Sequence, residues 1–197
     1  MPHTSKCTGS VTYKSVATTS PASFYWGIDE SITYGSGTTI LSSTAGIVDT
    51  GTTLVLIATD AYNRYRSATG VTLDNATGLL KISSTSYASL QSLFFNINGV
   101  SPSGQSIIQM HTKMALSFQR TFEFTANAQA WPRALNTAIG GTTNNVYLIV
   151  GDLGTPSGEG LDFINGFTWL ERFYTVFDTA NKRIGFATTS FTDATTN

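Results

Sequence analysis

The stretch GIVDTGTTLVL, residues 46–56, places a single carboxylate between two strongly apolar runs. Burying an ionised carboxylate without partners is costly, so Asp49 needs donors close by in the chain. Thr50 and Thr52 each offer a hydroxyl, and Gly51 lets the backbone turn sharply. Two interpretations follow: an ordinary strand-turn-strand with an aspartate at the turn, or a catalytic carboxylate held at the tip of a buried loop.

The composition bounds the class of protein. The chain has 197 residues, enough for one domain with a sizeable core, and we expect one globular unit. Its net charge is −1 and its Lys and Arg residues are scattered, so we expect no nucleic-acid partner. No apolar run reaches the roughly 18 residues of a membrane span, and residues 1–10 lack the core of a signal peptide. Cys7 is alone and forms no internal disulfide.

Most of the chain reads as β-strand, because short runs of β-branched and aromatic residues alternate with Gly, Asn and Ser. The predicted strands are residues 10–16, 25–34, 46–49, 53–57, 79–82, 94–97, 121–125 and 146–150, and a final hairpin with residues 173–177 as its first arm and a turn at 178–182. Helix is expected only in a short segment that is capped by Thr59 and Asp60, runs through Arg66 and is ended by Gly70, and in one turn at residues 168–172. The pattern predicts a mainly β fold with a few short helices.

One segment departs from this alternating strand pattern. Residues 100–120, VSPSGQSIIQMHTKMALSFQR, lack the alternation seen on either side. Without them, two well-patterned strands meet at an Asn-Gly turn, which hairpins favour, so the segment is interpreted as a hairpin-tip insertion that projects as a mobile loop. Two origins stay open: a translated short intron, or a genuine surface loop with a short helix. His111 has no second His or Cys nearby, so no metal site is expected.

The motif GIVDTGTT resembles the active-site loop of the pepsin-like aspartic proteases. Two further stretches are similar to that family in the same order: residues 10–35, with the pair Tyr25-Trp26, and residues 164–187, INGFTWLERFYTVFDTANKRIGFA. The resemblance covers nearly all of the chain apart from residues 100–120, and is greatest to the disulfide-free enzymes of wood-rotting fungi. It implies a pepsin-like acid protease fold, of which this chain is the C-terminal lobe in a bilobal β architecture.

The resemblance also implies roles for individual residues. Asp49 is a catalytic aspartate, and its loop is supported by Thr50, Gly51 and Thr52. The substrate-binding positions it implies are Thr53, Ile47, Tyr25 and Ile164. One departure is visible: where the family usually has Leu before the glycine of a late turn, this chain has Asn165 before Gly166. We expect this turn to pack against the Asp49 loop.

Three other aspartates are interpreted as structural. Asp152 follows an apolar run but lacks Thr-Gly after it, and Asp162 lies in a Gly-rich stretch. Both are predicted to be surface turn carboxylates. Asp178 is assigned to the turn of the last hairpin.

One aspartate does not complete the chemistry. Two adjacent carboxylates cannot both ionise, so one keeps a proton for the peptide carbonyl while the other takes a proton from water. The chain contains one Asp-Thr-Gly, and no segment resembles a first lobe. The expected function is therefore an aspartic endopeptidase acting on peptide or protein substrates, without cofactor or metal, whose second aspartate comes from an N-terminal lobe.

The isolated chain is expected to be inactive, with the loop and apolar surface around Asp49 open to water. Two alternatives are a non-enzymatic lobe that binds peptides or a partner, and a symmetric dimer with two Asp49 side chains facing each other. The resemblance implies an extracellular protein. The sequon Asn75-Ala76-Thr77 weakly supports that setting and makes Asn75 the candidate glycosylation site.

Overall fold

The computed structural model describes residues 4–99 and 118–196. The strands are β1 (Thr12–Ser15), β2 (Gly27–Tyr34), β3 (Thr38–Val48), β4 (Val55–Ile57), β5 (Thr72–Leu73), β6 (Leu80–Ser83), β7 (Leu93–Gly99), β8 (Phe118–Phe124), β9 (Asn145–Leu148), β10 (Val150–Asp152), β11 (Phe163–Asn165), β12 (Phe173–Asp178) and β13 (Arg183–Thr188). The α-helices are α1 (Thr59–Thr69), α2 (Ser84–Tyr87) and α3 (Phe167–Leu170). One-turn 3-10 helices cover Thr4–Lys6, Ala22–Phe24, Arg133–Leu135 and Thr137–Ile139. The predicted mainly β class with few short helices is confirmed.

A seven-stranded sheet in the order β10-β4-β11-β3-β2-β7-β8 forms the centre of the molecule. Strand β11 lies between β3, to which it is parallel, and β4, to which it is antiparallel. Since β3 leads into Asp49 and β4 leads away from it, β11 fills the space between the two arms of that loop. Two smaller sheets, β1-β13-β12 and β5-β6-β9, complete the architecture.

The main core collects aromatic side chains around Trp169 of α3, which is fully buried. Its ring centroid lies 4.5 Å from that of Phe173 and 5.3 Å from that of Phe186. Phe122 and Phe95 contact the same indole from β8 and β7. Burial of such large rings is a major source of stability, so this cluster joins the central sheet to the β1-β13-β12 sheet.

Several predicted boundaries need correction. Strand β3 begins at Thr38, well before the predicted residue 46, because it pairs with nearly all of β2. The predicted strand 146–150 is two strands, since the chain leaves the small sheet at Leu148 and joins the central sheet at Val150. The prediction that Thr59 and Asp60 cap α1 was also wrong, because the N-cap residue is Ala58 and no side chain caps the helix. The end of α1 at Gly70 is confirmed, and this glycine has a φ of 70°.

The hairpin formed by β7 and β8 is confirmed, with Gly99 paired to Phe118 at its far end. Residues 118–120, which the sequence assigned to the insertion, therefore belong to β8. The rest of the predicted insertion, residues 100–117 including His111, lies outside the described residues.

Candidate active site

Backbone contacts fix the position of Asp49 immediately after β3. The N–H of Val48 donates to the carbonyl of Trp26 at 3.0 Å, and the N–H of Asp49 donates to the carbonyl of Asn165 at 3.1 Å. Ile47 and Val48 pair with Ile164 and Asn165 in parallel register. Asp49 is therefore held at the end of a strand that is paired on both sides.

The carboxylate of Asp49 accepts two hydrogen bonds from its own loop. The Thr52 hydroxyl donates to Oδ2 at 2.7 Å, and the Gly51 N–H donates to Oδ1 at 3.0 Å. The Thr52 hydroxyl first, and then the Gly51 N–H, hold the pKa of Asp49 below its usual value, against the opposing effect of partial burial. Asp49 is half-buried in this arrangement. The prediction of a loop-tip carboxylate beside Thr52 with local donors is confirmed.

The turn at Asn165-Gly166 clamps the loop from the other side. The N–H of Phe167 donates to the carbonyl of Thr52 at 2.7 Å, and the N–H of Thr168 donates to the carbonyl of Thr53 at 3.0 Å. A Cβ on Gly166 would overlap the backbone carbonyl oxygens of Thr52 and Leu54, so only glycine fits at this position. The predicted contact between this turn and the Asp49 loop is confirmed.

An open cavity of about 660 Å³ lies beside Asp49. Its lining residues are Val16, Ser23, Phe24, Tyr25, Trp26, Ile47, Val48, Asp49, Thr179 and Lys182. The structure thus brings the predicted substrate positions Tyr25 and Ile47 to the same cavity as Asp49. Among the described residues, Thr53 and Ile164 are outside this lining: Thr53 is exposed on the loop and Ile164 packs beside Ile47.

Large apolar side chains around the loop are open to water. Phe24 is 78% exposed and Tyr25 is 58% exposed in the cavity wall, and Phe167, next to Gly166, is 55% exposed. Thr50 is also exposed at the loop tip. Aromatic groups exposed together near one loop are typical of a surface that binds another molecule.

The predictions for the three other aspartates, Asp152, Asp162 and Asp178, have different outcomes. Asp178 is the last residue of β12 rather than part of the turn, and its side chain accepts from the Asn181 N–H and from Arg183. Asp152 is exposed as predicted, but it ends β10 and accepts from the Thr59 hydroxyl. The prediction for Asp162 was wrong, because its side chain is fully buried. It accepts from the N–H groups of Gly158 and Glu159 and from the Thr44 hydroxyl, so three donors replace the water that it loses.

Sequence reasoning missed Glu30, a fully buried carboxyl group on β2. Asn165 donates to it through Nδ2 at 3.0 Å. A signal was present in the sequence: Ile28, Glu30 and Ile32 follow the two-residue period of one strand face, so an inward Ile-Glu-Ile row was readable. The replacement of the expected Leu by Asn165 marked the other half of the same pair.

Two further features concern the surroundings of the lobe. Asn75 is exposed on the turn between β5 and β6, where a glycan would have room. Within residues 4–99 and 118–196, no cluster of three or more His, Cys, Asp or Glu side chains is arranged to hold a metal ion. In the same residues no helix is long and apolar enough to cross a membrane.

The paired β3-β11-β4 unit with an Asp-Thr-Gly loop at its end defines one lobe of an aspartic protease. The family model for eukaryotic aspartyl proteases matches residues 2–189, and the chain belongs to this family. It is 62% identical to polyporopepsin of Irpex lacteus over 193 residues, which are 98% of this chain and 51% of that protein. Pepsin A of Sus scrofa is 30% identical over 169 residues, or 83% of this chain and 35% of that enzyme.

Solved structures agree. The crystal structure of the aspartic proteinase from Irpex lacteus superimposes with a TM-score of 0.87 at 62% identity. The alignment covers 100% of this chain and 52% of that one. The pepsin-like fold is therefore shown, and the chain spans about half the length of its fungal relatives.

Proposed function

We propose that this chain is the C-terminal lobe of an aspartic endopeptidase and that Asp49 is one of its two catalytic aspartates. The observation that carries the proposal is the carboxylate of Asp49, held by the Thr52 hydroxyl and the Gly51 N–H beside an open cavity. These bonds fix the orientation of the carboxylate while leaving the group half-exposed. A preorganised, accessible carboxylate is what a water-activating group requires.

The second carboxylate comes from an N-terminal lobe that docks over the Asp49 loop. When that carboxylate lies close to Asp49, the pair shares one proton, and its titration belongs to both groups together. The ionised member takes a proton from the attacking water, and the protonated member donates to the peptide carbonyl. Thr50 is exposed at the loop tip, and its proposed role is to contact the matching loop of the other lobe.

The substrate is a peptide or protein segment in the cleft between the lobes. Tyr25 and Ile47 provide apolar wall on this side, and the bare Cα of Gly51 lets the substrate backbone approach the carboxylate. Thr53 and Ile164 are assigned to substrate contacts that involve the edge of the loop. Support for Ile164 comes from its pairing with Ile47, which is directly in the cavity wall.

An extracellular location is part of the same proposal. It is supported by the similarity to polyporopepsin and by the exposed sequon at Asn75. Expression through a secretory pathway should add a glycan that disappears in Asn75→Gln.

The deciding experiment combines this chain with the N-terminal lobe of the Irpex lacteus relative and measures peptide hydrolysis at acid pH. We expect no hydrolysis by either lobe alone, hydrolysis by the reassembled pair, and none when Asp49→Asn replaces the native chain. Assembly is followed by sedimentation, so that a failure to dock is separated from a failure to react. A docked pair that hydrolyses equally well with Asp49→Asn would overturn the proposal. Tight peptide binding by the chain alone, with no turnover in the docked pair, would instead favour a non-enzymatic binding lobe.

A further inference from the structure

Glu30 lies in the middle of β2 with its carboxyl group completely removed from water. An isolated ionised carboxylate at such a site carries a large desolvation cost. Ile28 and Ile32 on either side of it along the strand face are also buried in the main core. Its surroundings therefore favour the neutral acid, unless a charged partner is present.

Among the described residues, no charged partner faces Glu30. The strands that pair with β2, which are β3 and β7, contain no charged residue, and neither does β11. The charged groups near these strands are engaged elsewhere: Asp29 pairs with Lys14 at 3.4 Å, and Asp49 and Asp162 are held by the donors described above. Burial raises the pKa of Glu30 to about 8, and the only opposing contribution is the Asn165 hydrogen bond.

The contact between Glu30 and Asn165 contains one hydrogen bond and leaves one side-chain oxygen of each residue without a hydrogen-bond partner. Nδ2 of Asn165 donates to Oε2 of Glu30 at 3.0 Å. Oε1 of Glu30 and Oδ1 of Asn165 are both buried without a hydrogen-bond donor. Two oxygens cannot satisfy each other, because each only accepts. A proton on Oε1 supplies the single missing donor, and it would close a ring of two hydrogen bonds between the acid and the amide.

The same asparagine carries the backbone contact of Asp49. Its carbonyl accepts the Asp49 N–H at 3.1 Å, and its Cα is paired with Val48. The Glu30 side chain thus extends across β3 to Asn165, the residue whose carbonyl accepts the Asp49 N–H. We propose that Glu30 is a protonated positioning residue, which closes a two-bond acid-amide pair with Asn165 and so fixes the backbone that presents Asp49.

The hydrogen bonds between Glu30 and Asn165 depend on the proton of Glu30, and we call this acid-amide pair a latch on the Asp49 loop. At acid and neutral pH the carboxyl group keeps its proton and both hydrogen bonds are made. When the proton is lost at alkaline pH, a buried charge faces the Asn165 oxygen, and relief requires β11 to move or water to enter. The Asp49 loop is then released on the side of Asn165. This role concerns the folded lobe itself and does not depend on peptide hydrolysis.

The test uses the 197-residue chain with carbon-13 in the Glu carboxyl groups, and follows two signals by NMR. The Glu30 resonance, assigned by its absence in Glu30→Gln, should titrate with a midpoint near pH 8. A shift of one pKa unit corresponds to a tenfold change in an equilibrium constant. The protection factor of the Asp49 N–H against hydrogen exchange should therefore fall at least about tenfold through the same midpoint. Protection factors are compared rather than raw rates, because exchange is itself base-catalysed.

The matched variants separate positioning from simple packing. The amide introduced by Glu30→Gln is always neutral and can both donate to and accept from Asn165, so this variant should keep the Asp49 N–H protected throughout. Glu171→Gln, which removes an exposed carboxyl group, should behave as the native chain does. A Glu30 carboxyl that titrates near its ordinary pKa would overturn the proposal, and so would equal loss of Asp49 protection in the native chain and in Glu30→Gln. If Glu30→Gln does not fold, the native titration and exchange midpoints still decide, because they must coincide.

Discussion

The hydroxyl of Thr52 donates to Oδ2 of Asp49 at 2.7 Å, and it contributes most to the lowered pKa of that carboxyl group. The bond joins residues three apart in one loop, so it forms as the loop forms. It orients the carboxylate before any second lobe or substrate is present.

Thr52→Val removes this donor while keeping the shape of the side chain. We expect the pKa of Asp49 to rise, because the ionised form loses its strongest partner. Thr52→Ser keeps a hydroxyl and should retain the lowered pKa. The measurement is the carboxyl carbon shift of Asp49 against pH, with Thr53→Val as the control on the exposed neighbouring residue. An unchanged Asp49 midpoint in Thr52→Val would contradict the assigned cause.

Two glycines of the site should differ sharply in their tolerance of a methyl group. Gly166→Ala would force a Cβ onto the backbone carbonyl oxygens of Thr52 and Leu54, and the Thr52 carbonyl is already held by the Phe167 N–H. We expect it to lower the free energy of unfolding by about 3 kcal/mol, or to prevent folding, as overpacking does. Gly51→Ala meets nothing closer than 3.4 Å, at Asp49 Oδ1, and should change stability by less than about 0.5 kcal/mol. Urea unfolding of both variants checks this, and equal stabilities would contradict it.

The aromatic cluster gives a prediction for the core. Trp169→Ala removes a fully buried indole that contacts Phe173 and Phe186, and should cost about 4 kcal/mol. Phe191→Ala deletes a ring that is 67% exposed and should cost less than about 0.5 kcal/mol. Thermal and urea unfolding distinguish them. Similar losses in the two variants would mean that the cluster does not hold the sheets together.

Much of this fold was readable from the sequence, because its strands carry apolar residues at the spacing that a buried face demands. The Asp49 loop was readable for the same reason: one carboxylate among apolar runs must find donors nearby, and it finds Gly51 and Thr52. The wrong prediction for Asp162, that it is exposed, concerned a property that depends on distant parts of the chain. Asp162 was taken for a surface residue because its own segment is rich in glycine. Its burial depends on Thr44, which lies 118 residues away in the sequence.

Glu30 should make the stability of the chain depend on pH above pH 4.5. Between its ordinary pKa of 4.5 and its folded value of about 8, the folded chain binds a proton that the unfolded chain has released. Its contribution to stability is thus complete below pH 4.5 and is lost as the pH rises through this window. The expected slope is at most about 1.4 kcal/mol per pH unit. Denaturant unfolding at several pH values measures it: Glu30→Gln should flatten the slope and Glu171→Gln should not.

The last prediction concerns why a buried acid and amide stand where two apolar side chains would fit. Glu30→Leu leaves the side-chain amide of Asn165 buried without a partner, and Asn165→Leu leaves the carboxyl group of Glu30 in the same condition. Each single change should therefore cost roughly 2 to 4 kcal/mol, which is the range for orphaned buried polar groups. The double change removes both groups and places apolar side chains in an apolar core, so it should be close to the native chain in stability.

A double-mutant cycle with urea unfolding measures the coupling, which we expect to exceed about 1 kcal/mol. Additive losses would show that the two side chains act independently. A stable double variant whose Asp49 N–H keeps its protection at alkaline pH would show that the polar pair supplies the proton sensitivity of the site and that its absence leaves the fold intact.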